Sequence, residues 1–205
     1  MPFNISSFKS QGPIFGGARP SLFSVTMTPP AGGGALNPAG MNQLRFMCKA
    51  ASLPEAQVSS IEIGYFGRKI KVAGERAFQD WQITVINDED FAIRSMLESW
   101  SNGINTLESN IREPNYTAEG YKADLLVTQF RKDGIVLRQY SLIGAFPINI
   151  SGIGLDWDQP NQIETFTTTF AYDYWLPVDE QNPLNAGTVS LYTPLAVSDG
   201  PLGPN

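Results

Sequence analysis

The groups able to do chemistry in this chain are few, and their spacing does not join them into a catalytic set. There is no histidine. That removes the usual general base, the commonest zinc ligand and every Ser-His-Asp or Cys-His arrangement. Carboxylates remain: Glu75, Asp80 and the cluster Asp88-Glu89-Asp90 could supply a pair for glycoside hydrolysis on a β-sandwich. The cluster is better explained as the start of a helix, where the macrodipole favours acids. Asp156-Trp157-Asp158-Gln159-Pro160-Asn161 places oxygens at alternate positions, as a calcium loop does. It lacks the turn glycine and the closing glutamate, so it reads as a polar turn. Gly64-x-x-Gly67 and Gly152-x-Gly154 do not continue as phosphate loops and read as turn glycines. The single Cys48 cannot form an intramolecular disulfide; beside Phe46 and Met47 it reads as a small buried hydrophobe.

One cluster combines cations with aromatics: Arg68, Lys69 and Lys71 beside Tyr65 and Phe66. Nucleic acid can stack and pair on such a patch. The chain as a whole is acidic, with a formal charge of −6 and a pI near 4.6, which disfavours holding phosphates. A hairpin tip whose cations meet an acidic partner subunit fits better. The residues thus predict no enzyme, no cofactor and no bound metal.

The elements that must position these groups follow a period of two. In Gln79–Ile86, Trp81, Ile83 and Val85 share one face and Gln82 and Thr84 the other. In Thr165–Trp175, Phe166, Thr168, Phe170, Tyr172 and Tyr174 share a face, while Thr165, Thr167, Thr169 and Asp173 point the other way. Ala123–Phe130 and Ile135–Ile143 are strands joined at Arg131-Lys132-Asp133-Gly134, a strong hairpin signal. Ile61, Ile63 and Tyr65, then Ile70 and Val72, flank Phe66-Gly67 as a second hairpin. Leu22–Thr28 reads as a first strand, with Gln43–Ala50 pairing to it across the Pro/Gly-rich stretch 29–41. One helix stands out: Asn87 or Asp88 can cap it, and Ile93, Met96, Leu97 and Trp100 form one apolar stripe. Asp90 and Arg94 are spaced as an i, i+4 pair, and Gly103 is a plausible stop.

The expected fold is mainly β: an antiparallel barrel or sandwich with one flanking α-helix. A chain of 205 residues most readily makes one domain, burying roughly 70% of its unfolded surface. Glycine and proline concentrate at both ends. The expected organisation is an N-terminal arm over 1–17, a β-domain over 18–175, and a Pro/Gly-rich acidic extension over 176–205. No apolar run is long enough for a membrane helix. The N-terminus does not read as a secretory signal.

Four stretches in order, ARPSLFSV from Ala18, the block Cys48–Asp90, LDWD from Leu155 and IETFTTTFAYDYW from Ile163, resemble the tail tube proteins of T4-like contractile-tailed bacteriophages. The resemblance implies a virion protein assembled in the host cytoplasm. Six copies would form a ring, and rings would stack into a tube inside a contractile sheath, bounded by baseplate and tail terminator proteins. Genomic DNA would pass through without specific binding. On this resemblance Glu62, Tyr65, Arg68, Lys69 and Lys71 are expected on a hairpin that reaches the adjacent ring. Thr165, Thr167 and Thr169 are expected to face the lumen. Trp81, Trp157 and Trp175 are expected in the core or between subunits. Two other functions remain open: a tube-capping or adaptor protein of the same fold, and a carbohydrate-binding β-sandwich using Glu75 or Asp80.

Overall fold

The structure is a computed structural model describing residues 17–30, 36–114, 116–117, 119–158 and 161–178, together with Ile5. The expected N-terminal arm therefore lies almost wholly outside the described residues, as does the expected extension from 179 onward.

Nine strands and two helices are described. In chain order they are β1 (Phe23–Thr28), α1 (Pro38–Met47), β2 (Cys48–Ala51), β3 (Gln57–Tyr65), β4 (Arg68–Ala77), β5 (Trp81–Ile86), α2 (Ala92–Ile104), β6 (Ala123–Phe130), β7 (Val136–Ile150), β8 (Thr165–Ala171) and β9 (Tyr174–Val178). Seven strands join one sheet in the order β1-β6-β7-β8-β5-β2, with β9 also on β7; β3 and β4 pair only with each other. Every pairing is antiparallel.

The strand β7 holds the body together. Its first part pairs with β6 and β9 and its last part, Phe146–Ile150, pairs with β8. The change of partner falls at Gly144, whose φ of +68° favours glycine. A side chain there would also collide with the Asp173 carboxylate. Asp173 is fixed at that corner: its amide donates to the Ile143 carbonyl, and its carboxylate accepts from Lys122 at 2.8 Å. The sheet therefore folds into two layers that share β7. It is a sandwich of the tube type rather than a closed barrel.

The segment 165–175 is not one strand, as its alternation suggests. It breaks at Tyr172-Asp173, and β8 and β9 then pair with different stretches of β7. Alternation records which face is buried, not which neighbour supplies the hydrogen bonds.

The second departure is α1. Gln43–Ala50 reads as a strand beside β1, yet Pro38–Met47 is helical. The Asn37 side chain accepts from the Ala39 amide at 3.0 Å, and Pro38 occupies the first turn, where a missing N–H costs nothing. Gly40 and Leu44 are the buried face. A Cβ on Gly40 would lie 2.6 Å from the Ala92 carbonyl oxygen, so the two helices approach closely there. Only Cys48–Ala51 is extended, and it pairs with β5, not β1. Cys48 is partly buried, and desolvation pushes its thiol up to about 12, opposed by a backbone hydrogen bond of Ala50.

Helix α2 has the expected stripe: Ile93, Met96, Leu97 and Trp100 are all buried. Its start lies later than the sequence suggests. Phe91, in the left-handed region at φ +51°, precedes Ala92. Asp90 accepts from the Ala92 amide and from Gln43 on α1. Those bonds, the Ala92 amide first, hold its carboxyl below the usual range. Asn87 instead binds Glu164 through both backbone and side chain. Arg94 pairs with Glu98 at 2.8 Å, not with Asp90. It also reaches the Ser151 carbonyl at 3.1 Å.

The core forms where α2 meets the inner faces of β5 and β8. Trp100 Nε1 donates to the Tyr121 carbonyl at 2.8 Å, and its ring meets Phe170 at 6.2 Å. Thr168 is fully buried between Phe166 and Phe170, and its hydroxyl has no partner. An unsatisfied buried hydroxyl costs about 1–3 kcal/mol, while a methyl of the same shape does not. Thr168→Val is therefore expected to stabilise the subunit by about 1 kcal/mol, read as a higher midpoint in urea at unchanged slope.

Candidate functional site: an amphipathic arm and a neutral sheet face

The strands β3 and β4 form an arm that leaves the body. They meet in a two-residue turn, Phe66-Gly67, with φ of +43° and +77°. Those signs at both central positions match the turn whose twist suits a tight hairpin. The register sets Tyr65 opposite Arg68, Ile63 opposite Ile70, Ile61 opposite Val72 and Glu62 opposite Lys71. One face thus carries Ile61, Ile63, Tyr65, Ile70 and Val72. The other carries Glu62, Lys69 and Lys71, with Lys69 Nζ 2.8 Å and Lys71 Nζ 3.9 Å from the Glu62 carboxylate. These are solvated pairs of little intrinsic stability. All five predicted residues, Glu62, Tyr65, Arg68, Lys69 and Lys71, lie on this arm. The structure adds their sorting: Tyr65 and Arg68 share the apolar face, and the other three the charged one.

Nothing described covers the apolar face. Ile63 and Ile70 are each more than half exposed, and Phe66 at the tip is 90% exposed. An isolated two-stranded ribbon is marginal in water. An uncovered apolar stripe on one marks a surface meant for another molecule.

Two tryptophans fasten the arm to the body. Trp81 Nε1 donates to the Ser52 carbonyl at 2.7 Å. Trp175 Nε1 donates to the Glu55 carbonyl at 2.9 Å. Residues 52–55 lead directly into β3, so the entry to the arm is pinned from both layers. Sequence reasoning assigned these residues to packing and missed this role; an indole N–H needs an acceptor when buried, which was the available signal. Trp157 is different. It is fully exposed on the loop between β7 and β8, beside exposed Leu155, so it is not a core residue.

The second surface is the outer face of β5 and β8. Thr165, Thr167 and Thr169 lie half-buried on it, opposite Ile86, Thr84 and Gln82. Asn149 of β7 stands beside Thr169. This cross-strand set is neutral and mostly polar. The opposite face, with Phe166 and Phe170, is core.

Glu75 and Asp80, the two acids named for a carbohydrate site, are not brought together. Glu75 stands exposed on β4 and Asp80 exposed in the link to β5. Neither lines any of the three clefts described around the body, whereas Asp88 and Glu89 line one of them with Glu164. Asp156 and Asp158 meet in a turn, the Asp158 amide donating to the Asp156 carboxylate at 3.0 Å.

The pattern of phage tail tube proteins matches residues 18–177. The chain is 38% identical to the tail tube protein of Enterobacteria phage T4 over 159 residues, 77% of this chain and 90% of that one. This chain belongs to the phage tail tube protein family. It is a structural subunit of a tail tube, and its place is the virion tail. A more distant relative is the tail tube protein of Serratia phage KSP90, 28% identical over 137 residues, 65% of this chain and 76% of that one. Among solved structures, a chain of the anti-feeding prophage baseplate has the same fold with a TM-score of 0.54 at 11% identity, covering 79% of this chain and 95% of that one. A chain from the sheath/tube terminator of an extracellular contractile injection system gives 0.53 at 16% identity, covering 77% and 93%. No helix among the described residues is long and apolar enough to cross a membrane.

Proposed function

We propose that six copies of this tail tube protein close into a ring and that rings stack through the β3–β4 arm. The observation that carries the reading is the apolar face of the arm, left uncovered on a ribbon too thin to be stable alone. Seating it on a neighbouring subunit buries Ile61, Ile63, Ile70 and Val72 together. The strands β1 and β2 end the sheet order. Unpaired strand edges invite pairing with another chain, and a ring that merges sheets between subunits satisfies them. The neutral threonine face then lines the channel. DNA slides past it because nothing there displaces counterions. A contractile sheath surrounds the tube, with a baseplate at one end and a terminator at the other. The role is structural and not catalytic.

Negative-stain images of the purified protein test this. Long hollow polymers or stacked rings are expected. Isolated rings that never stack would move the assignment to a cap or adaptor, and a strictly monomeric protein at high concentration would overturn it.

The arm's cations give a smaller, salt-sensitive effect. Arg68→Glu with Lys69→Glu is expected to leave the fold intact and weaken stacking several-fold at low ionic strength. The difference should shrink as salt rises, because exposed charges are screened within about 8–10 Å at 0.1–0.15 M. Light-scattering assembly curves across a salt series provide the measurement.

A further inference from the structure

A cleft of about 590 Å³ opens between the segment entering β1 and the β6–β7 turn. Its apolar floor is Leu22, Phe130 and Leu137, and its charged rim is Arg19, Arg131 and Lys132. Asp133 also lines it and pairs with Arg131, which leaves the rim with a net positive charge. One strand-width away, β9 runs antiparallel to β7 and ends with Val178 opposite Gln139. Leu137 is two residues further along β7, about 7 Å at ~3.4 Å per residue. Continuing the same register would set residue 179 opposite Arg138 and residue 180 opposite Leu137. The sequence there is Asp179-Glu180. Arg138 is a conspicuous neighbour for an acid, because its Nε is buried and has no hydrogen-bond partner.

We propose that residues 179–184, Asp179-Glu180-Gln181-Asn182-Pro183-Leu184, dock in this cleft of their own subunit. Asp179 meets Arg138. Glu180, on the face of Leu137, meets the Arg19 and Lys132 rim. Pro183 cannot donate to a ladder and ends the pairing. Leu184 then reaches the floor of Leu22 and Phe130. The docked segment lies beyond residue 177, where the match to the family pattern ends.

Charge selects this occupant over the other terminus. From 179 to 205 the chain has Asp179, Glu180 and Asp199 and no lysine or arginine. Residues 1–16 carry Lys9 and no acid. A cationic rim attracts the first and repels the second. The consequence is a clasp: β9, which also carries Trp175 and so the anchor of the arm, is held at its open end.

Backbone hydrogen exchange over residues 131–138 reads the docking. The full chain is compared with a chain ending at Val178 at matched assembly state, checked by light scattering. Exchange there is expected to be at least tenfold slower in the full chain, independent of a tenfold dilution. Because truncation removes much sequence, charge variants of the full chain provide a second reading. Asp179→Lys with Glu180→Lys should lose most of the protection. Adding Arg19→Glu and Lys132→Glu, both at exposed positions, should restore part of it. Equal exchange in full and truncated chains overturns the proposal. So does protection lost on deleting 1–16 instead, which would make the N-terminal arm the occupant. Protection that falls on dilution would place the segment on a second copy and also overturns it.

Discussion

Replacing Ile63 and Ile70 together by aspartate is expected to leave the subunit folded and to abolish its polymerisation. The two side chains sit directly opposite each other at the centre of the arm's apolar face. Neither belongs to the buried core cluster or packs against it. Their loss should therefore change the subunit's own stability by only about 0.5 kcal/mol, as for other surface positions. The proposed stacking contact would bury each of them, and full burial of an isoleucine stabilises by about 1.5–3 kcal/mol. Removing both, and asking the interface to desolvate two carboxylates, weakens each contact by well over 3 kcal/mol on the same scale. At 1.4 kcal/mol per factor of ten, the concentration needed for assembly rises more than about 100-fold. Sedimentation of polymer against total protein measures it, with far-UV circular dichroism as the control on folding. Polymers forming at the original concentration would remove the arm's apolar face from the stacking contact. Loss of the folded signal would show that the arm packs on its own body instead.

The sequence made some elements legible because two independent signals agreed there. The β3–β4 hairpin combines alternation with a turn that needs positive φ. The β6–β7 hairpin has Asp133-Gly134 between two apolar runs. Helix α2 has a four-residue stripe that no strand would bury on one face. Where only one signal was present, the reading went astray. Gln43–Ala50 contains Leu44, Phe46 and Cys48, which alternate as a strand would. Gly40 and Leu44, at helical spacing, are what the fold buries, and Phe46 is left mostly exposed. A short apolar run has no period of its own, so packing of α1 on α2 decided it. The start of α2 is a similar case. Asn87, Asp88 and Asp90 are all suitable caps, and Asn87 was withdrawn by a long-range bond to Glu164 that local sequence does not encode. The split between β8 and β9 depends on Asp173 meeting Lys122 and Gly144, residues far apart in the chain. On the arm, alternation gave the two faces. That one of them lacks a cover is a property of the whole fold and is visible only in three dimensions.

The neutrality of the threonine face leads to the second large effect. Thr165→Lys with Thr167→Lys is expected to convert a channel that passes DNA into one that holds it. Both positions lie on the outer face of β8, and their partners across β5, Ile86 and Thr84, are uncharged. Half-buried threonines on such a face have room for a lysine stem that lies along the sheet with its ammonium in solvent. The substitutions place two cations in each subunit, repeated around every ring and along the whole tube. Each phosphate they neutralise releases condensed counterions, so binding falls with salt at a slope of about −0.9 per contact. With 6–10 contacts the affinity drops roughly 10³–10⁵-fold between 50 and 200 mM salt. The expected result is DNA retained by assembled variant tubes at low salt and released as salt rises, with no retention by the unaltered tube. The ejection rate of a phage carrying the variant should fall in parallel. Assembly itself should be unaffected, since the arm and the sheet edges are untouched. Variant tubes that assemble normally yet bind no more DNA than the original would place this face away from the lumen. A variant that fails to fold would mean that the two threonines are packed against something the lysine stem cannot share. Thr84→Lys on β5, directly across from Thr167, would then test the same face from a different strand.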